Sequence, residues 1–281
     1  MIVFYTKTTA HLASLIHLPK GQYLAGQFSD GEWYLTLESD VANQDVWVIT
    51  ATNSPADNLL ELFLLLNVLQ KNSARIHLLF TYFGYARQDN PLPSQGSGAQ
   101  MVSTLLNTFK LKKIIIVHAH SVRLHTYLNF ENIIPTDLIC EHTPSYDAIA
   151  APDQGAYELI DALSKKCKIE PIFLKKIRPA QEEVKILEYN GMVKAKKVLI
   201  IDDIIATGNT IIEVAKVLET LGATHVSVWA THGIFSNHAI RNIENSSIKK
   251  VYVTNTLPQK HTSSKIEIVS IAPLLEKIIG S

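Results

Sequence analysis

A strand–helix–strand unit occurs twice in this chain, and that repeat limits the folds open to it. An apolar run at 46–50, a leucine-dense helix at 58–70 and a strand at 75–80 are echoed by an apolar run at 198–201, an amphipathic helix at 210–221 and a strand at 225–230. Even the ends agree loosely, Thr81-Tyr82-Phe83 against Thr231-His232-Gly233. Alternation of strand and helix needs crossover connections, which make the strands parallel and cover both sheet faces with helices. The repeat predicts an α/β fold of two like domains from a tandem duplication, each a mostly parallel sheet flanked by helices. The boundary is expected near 141–145, giving domains 1–141 and 142–281. The 281 residues, 47% of them hydrophobic, suit one large or two ordinary domains.

The copies differ where the first strand ends. The second reads Val198-Leu199-Ile200-Ile201 and then Asp202-Asp203, followed by Thr207-Gly208-Asn209-Thr210 opening a helix that Gly222 caps. Carboxylates can accept bonds from vicinal hydroxyls, directly or through a metal ion. Loop amides and the helix dipole can hold a phosphate. The first copy has Ala51-Thr52-Asn53-Ser54 there. One half is therefore expected to bind a sugar phosphate, leaving the other for a second ligand or for scaffolding.

Other stretches could carry chemistry. Phe28-Ser29-Asp30-Gly31-Glu32 reads as a hairpin turn, and by itself an ordinary hairpin suffices. Tyr82-Phe83-Gly84-Tyr85-Ala86-Arg87-Gln88-Asp89, past a strand end, can stack a flat ring and pair with phosphate, or be a surface loop. His118-Ala119-His120 follows a strand at 113–117. Two histidines at i and i+2 of a strand share a face and could share a metal, or simply hydrogen-bond. A strand at 146–151 runs into Pro152-Asp153-Gln154-Gly155, again an acid and a glycine at a strand end. After a strand at 171–174, Lys175-Lys176-Ile177-Arg178 opens a polar segment to Gly191, a solvated loop or a mobile cationic arm that closes on transferring phosphates.

Lys+Arg and Asp+Glu each number 26, so no global basic field draws nucleic acid or a membrane surface. No apolar run approaches the ~20 residues of a membrane span. Met1-Ile2-Val3-Phe4-Tyr5 reads as a first strand rather than a signal peptide. Cys140 and Cys167 make neither a metal nor a disulfide pattern, so a reduced, cytoplasmic setting is expected.

The stretch 197–210 resembles the phosphoribosyl-pyrophosphate motif of the type I phosphoribosyltransferase fold. Taken with Phe-Ser-Asp-Gly-Glu, Tyr-Phe-Gly-Tyr-Ala-Arg-Gln-Asp, Ala-Pro-Asp-Gln-Gly and Asn255-Thr256-Leu257-Pro258, the chain from Phe28 to Ile279 resembles the ribose-phosphate pyrophosphokinases, as a divergent member. The resemblance implies two tandem type I phosphoribosyltransferase-like domains, an ATP side and a ribose-phosphate side. It implies a Mg2+-dependent transfer of the diphosphoryl group of ATP to the anomeric hydroxyl of ribose 5-phosphate. By the same resemblance Asp30, Glu32, Arg87, Gln88 and His120 contact ATP, with the Asp30 loop supplied across a subunit interface. His120 and Asp153 serve magnesium, and Lys176 and Arg178 form the catalytic arm. Asp202 and Asp203 take the ribose, and Thr207, Gly208, Asn209 and Thr210 its 5-phosphate. A homo-oligomer, dimer or hexamer, is implied.

The chain departs from the family pattern in places. His118 stands where the family has an acid, and Ile177 interrupts the usual run of three cations. Ala206 replaces an acid, and Asn209 a glycine of the phosphate loop. The basic region that follows Arg-Gln-Asp in the family is absent, with Pro93 to Gln100 in its place, so the resemblance does not carry over allosteric control by phosphate and ADP. The altered loop leaves open a substituted acceptor such as ADP-ribose, whose anomeric hydroxyl is chemically equivalent. A catalytically silent homologue that co-assembles with a synthetase is the remaining alternative. It gives no physical reason for the cationic arm and the acidic pair to be present.

Overall fold

A computed structural model describes residues 1–177, 185–260 and 263–280. The chain divides into two compact units. The first is Met1–Ile134 with Thr256–Pro258 and Ile271–Ser281, and the second is Pro135–Asn255 with Gln259–Ser270.

The first unit opens with β1 (Ile2–Tyr5), a hairpin of β2 (Tyr23–Gln27) and β3 (Trp33–Leu37), and β4 (Asp45–Ala51). Helix α1 (Asp57–Lys71), β5 (Arg75–Tyr82), α2 (Gly98–Leu106), β6 (Leu111–Val117) and β7 (Glu131–Ile133) follow. Its main sheet has the order β1-β4-β5-β6-β7, and every pairing is parallel. Leu62, Leu65, Leu66 and Leu69 recur at helical spacing on α1, and all four are fully buried against the sheet. Each such side chain contributes roughly 1.5–3 kcal/mol of burial. Buried Glu61 is the polar exception on this helix. Its Oε1 accepts from the Lys7 amide (3.0 Å) and from the Tyr23 hydroxyl (2.8 Å), which ties the β2–β3 hairpin to the core. Burial and the facing Glu61 carboxylate push the Tyr23 phenol far above its usual range.

The second unit begins with α3 (Thr136–His142), β8 (Ala148–Ala151), α4 (Tyr157–Cys167), β9 (Glu170–Ile177) and β10 (Lys185–Asn190). It continues through β11 (Lys197–Ile205), α5 (Asn209–Thr220), β12 (His225–Gly233), α6 (Ala239–Glu244), β13 (Val251–Thr254) and β14 (Ile266–Val269). The last helix, α7 (Ala272–Gly280), belongs to the first unit. The second sheet has the order β10-β9-β8-β11-β12-β13-β14, parallel throughout except at β9–β10. Val198 and Ile200 of β11 and Val226 and Val228 of β12 pack on Val214, Ala215 and Leu218 of α5.

The mostly parallel α/β architecture, the repeat and the Asp30-Gly31 hairpin follow the sequence reading. Glu141, at the expected boundary, lies within α3. The cysteines overturn an expectation. Helices α3 and α4 bring the Cα atoms of Cys140 and Cys167 to 5.3 Å, and the two form a disulfide across 27 residues of sequence. A pairing made by tertiary contact leaves no short spacing for the sequence to display. Strand β9 also runs on through Lys175 and Lys176, past the strand expected at 171–174. Pairing with β10, with Lys176 opposite Ile186, extends the ladder.

Candidate functional site

In the second unit the chemistry gathers at the carboxyl ends of β8 and β11, where open parallel sheets present ligand crevices. The two strands pair from Ala148↔Val198 to Ala150↔Ile200, and β8 then ends. Strand β11 continues through Asp202 and Asp203 beside β12, so the acids lie inside the strand rather than after it. Asp202 is thereby mostly enclosed, and its Oδ1 accepts the Asp203 amide at 2.9 Å. Burial first, then the charges of Asp203 and Asp153, push the Asp202 carboxyl well above the usual carboxylate range, and the Asp203 amide opposes this. Asp202 thus lies within the electrostatic reach of both Asp203 and Asp153. Asp153 is exposed in extended backbone, and its Oδ1 accepts the Gly155 amide at 3.0 Å, starting the 3₁₀ turn Gln154–Ala156 that leads into α4.

Four residues after Asp203 the chain turns into α5. Gly208 caps the helix with φ +79°, a backbone conformation that glycine adopts without strain. The loop is anchored from behind: the Ser236 amide donates to the Ala206 carbonyl (2.9 Å), and those of Ile234 and Phe235 donate to Ile205 (2.9 and 3.2 Å). Thr207 and Asn209 are exposed and Thr210 is half-buried. Amides in the first turn of a helix have no acceptor within the helix, so this loop suits an anion.

In the first unit, Asp30 and Glu32 are exposed at the tip of β2–β3. Asp30 Oδ1 accepts the Glu32 amide at 3.0 Å, and Gly31 takes φ +90°. Arg87 and Gln88 are exposed on the 3₁₀ turn Ala86–Gln88 beyond β5. Gln88 Oε1 accepts the Gly98 amide (3.2 Å) and its carbonyl accepts from Ser97 Oγ (2.7 Å), so this residue also fastens the far end of the 91–98 loop. Of the preceding aromatic run, Tyr82 and Phe83 are withdrawn from any stacking surface and half-buried Tyr85 is not. Tyr82 and Phe83 are buried, Phe83 edge-on to Phe80 at 5.0 Å, because the segment closes the core. Sequence reasoning missed Thr52 here. Its Oγ1 accepts the Gly84 amide at 2.8 Å, and a Cβ on Gly84 would lie 2.0 Å from the Thr52 carbonyl oxygen. The glycine set among aromatic residues was the available signal.

The two histidines are not a same-face pair. Strand β6 stops at Val117; His118 turns to φ +46° and is buried, whereas His120 is exposed. The alternation argument fails because the strand ends before it can apply. Among the described residues no three His, Cys, Asp or Glu side chains form a metal-ready group. The Lys176 side chain and all of Arg178 lie outside the described residues, although the Lys176 backbone is part of β9.

Residues 3–109 match the N-terminal domain of ribose phosphate pyrophosphokinase, and residues 152–280 match the phosphoribosyl synthetase-associated domain. The ribose-phosphate pyrophosphokinase of Chlorobaculum tepidum is 31% identical, over 95% of this chain and 86% of its own length. That of Helicobacter pylori is also 31% identical, over 93% of this chain and 85% of its own. The crystal structure of phosphoribosylpyrophosphate synthetase from Mycobacterium smegmatis superposes with a TM-score of 0.88 at 26% identity, covering 99% of this chain and 97% of that one. The fold is that of two tandem phosphoribosyltransferase-like domains, and the chain belongs to the ribose-phosphate pyrophosphokinase family.

Proposed function

We propose that this chain transfers the diphosphoryl group of ATP to the anomeric hydroxyl of ribose 5-phosphate, giving phosphoribosyl pyrophosphate and AMP. The carrying observation is the end of β11, where Asp202 and Asp203 stand beside Asp153 and lead into the Gly208-capped loop. Asp202 and Asp203 take the ribose hydroxyls, and Thr207 to Thr210 take the 5-phosphate. Asp30, Glu32, Arg87, Gln88 and His120 of the first unit serve ATP, and Lys176 and Arg178 neutralise the transferring group. No covalent nucleophile is needed. Such transfers depend on positioning and charge neutralisation, which these residue types supply.

Magnesium fits the donor chemistry of the second unit. The ion is usually held by one or two carboxylates together with substrate phosphates, so a three-residue cage is not required. Asp153 would hold it there, and the bound ion would neutralise phosphate charge; His120, the other residue that the family resemblance assigns to magnesium, belongs to the first unit. A homo-oligomer in which the Asp30 hairpin completes a neighbour's ATP site, as a dimer or hexamer, and a cytoplasmic setting belong to the same proposal. No helix among the described residues is long and apolar enough to cross a membrane.

One observation favours a second acceptor. Asn209 is exposed at the first position of α5, where a side chain reshapes the phosphate loop, so a substituted 5-phosphoribosyl group such as ADP-ribose is the alternative. AMP release from ATP and magnesium separates the readings. Release with ribose 5-phosphate is expected. Release only with ADP-ribose moves the acceptor, and release with neither leaves a silent homologue.

A further inference from the structure

We propose that Cys140 and Cys167 form a site of reversible thiol–disulfide exchange whose redox state sets how firmly α3 is held on α4. The co-reactant is a small dithiol in one direction and a glutathione-type disulfide in the other. The bond joins α3 to α4 within the second unit. With seven residues, α3 is far too short to persist alone. Lys166 Nζ of α4 also reaches Asp137 Oδ1 and Thr136 Oγ1 of α3, each at 2.6 Å. Lys166 and Asp137 are exposed, and exposed pairs of this kind hold weakly.

Both cysteines are partly exposed, so a small thiol can reach them. Cys167 lies among Lys165, Lys166 and Lys168 in sequence, the first two paired with Asp161 and Asp137, and exchange proceeds through a cysteine thiolate. In reduction, a thiolate of the dithiol attacks one cysteine sulfur and the protein S–S bond breaks. The released cysteine thiolate takes a proton. The second thiol of the reagent then displaces the other cysteine, closing the reagent's own disulfide. Two electrons pass from reagent to protein, and glutathione disulfide reverses the step with release of two glutathione thiols.

The consequence reaches beyond the seam. Helix α4 begins directly after the Gln154–Ala156 turn that Asp153 opens, and the ring of His142, the last residue of α3, meets those of Trp229 and Tyr252 at 5.1 and 4.7 Å. Releasing α3 loosens the support of α4 and of the Asp153 turn. This link, and only this link, rests on the site reading above.

The full chain is equilibrated in glutathione buffers of graded reduced-to-oxidised ratio, alkylated with a mass-tagged maleimide, and melted. The expected result is a titration between no and two tagged thiols, with the oxidised form melting about 5–10 °C higher. Cys140→Ser and Cys167→Ser should melt with the reduced form at every ratio. Two tagged thiols throughout, a bond that excess dithiothreitol leaves intact in the folded protein, or equal melting temperatures would each overturn the exchange site. None of these readouts involves turnover, so the test stands apart from the proposed reaction. In active protein, reduction should raise the magnesium concentration needed for half-maximal turnover about threefold with kcat at saturating magnesium little changed; equal magnesium dependences would overturn the link to Asp153.

Discussion

The two units share a topology and differ in what is attached to it. Strands β1-β4-β5-β6-β7 of the first correspond in order to β8-β11-β12-β13-β14 of the second, and α1 corresponds to α5. Each unit inserts a hairpin between its first and second core strands. In the first unit, β2–β3 forms a separate two-stranded sheet, whereas β9–β10 of the second extends the main sheet beside β8. At the carboxyl end of the second core strand the contrast is chemical. The first unit uses Thr52 to hold its own Gly84, and the second offers Asp202, Asp203 and a glycine-capped helix. A duplicated scaffold thus keeps its strand ends as the place for polar groups. The first copy commits Thr52 to an internal bond, whereas the proposed reading gives Asp202 and Asp203 of the second to a ligand.

The largest effect should follow from breaking that contrast at the acids. Asp203→Asn and Asp202→Asn remove charge beside the proposed ribose hydroxyls and leave the strand packing in place. Loss of turnover of about 10²–10³-fold is expected for each. The double variant should lose less than the product of the two, because the acids are coupled. AMP release with ribose 5-phosphate is the measurement, and wild-type turnover in either variant would remove the acidic pair from the mechanism. The converse change, Thr52→Asp in the first unit, should create no sugar-phosphate binding by calorimetry, since no glycine-capped loop follows it. It should also cost stability through the lost bond to Gly84.

What the sequence displayed was periodic or local. The strand–helix alternation announced both sheets, and Asp-Asp with Thr-Gly-Asn-Thr announced the acids and the glycine-capped loop. Elements whose form depends on a neighbouring strand were harder to see. Nothing local shows that β11 continues past its apolar run, because Asp202 is held in the strand by pairing with Ala230 of β12. Nothing local shows that β9 carries Lys176, because β10 supplies the partner. The His118-Ala119-His120 stretch was misread because alternation was carried one step past the end of β6. The disulfide was invisible because two helices, rather than a spacing, bring its ends together.

Two glycines sharpen the comparison at the next level of magnitude. Gly84 of the first unit is required by contact, since an added Cβ would sit 2.0 Å from backbone oxygen of Thr52. Gly84→Ala must displace the chain and should cost about 2–4 kcal/mol in urea unfolding. Gly208 of the second unit has φ +79°, yet the nearest atom to an added Cβ is an Ile243 side-chain carbon at 3.4 Å. Gly208→Ala should cost only about 1 kcal/mol of stability. Its main effect should fall on ribose 5-phosphate affinity, because the proposed phosphate loop must change its backbone. Equal stability losses at the two positions would mean that the two glycines do not play the different parts assigned to them.

The smallest expected effect is a pair of opposed pH dependences, one from each unit. Asp202 has a raised folded-state pKa, so its contribution to stability is complete below the unfolded value near 4 and is lost as pH rises through the raised value. Asp45 of the first unit behaves in the opposite sense. Hydrogen bonds from Arg75 and His77 hold its carboxyl far below the usual range, so its contribution is present above about pH 4 and is lost as pH falls below it. Both Asp45 and Arg75 are exposed, which makes the second term small and sensitive to salt. The three tryptophans divide usefully between the units: Trp33 and Trp47 report on the first and Trp229 on the second. Denaturation followed by fluorescence in Trp229→Phe and in the Trp33→Phe, Trp47→Phe double variant isolates each slope. Asp202→Asn should flatten the decline above pH 4 in the second unit alone, and Asp45→Asn should flatten the acid limb in the first, with 1 M salt doing much the same. A slope of the same sign in both units would break the electrostatic contrast, and with it the idea that one copy encloses an acid near other acids while the other pairs an exposed acid with cations.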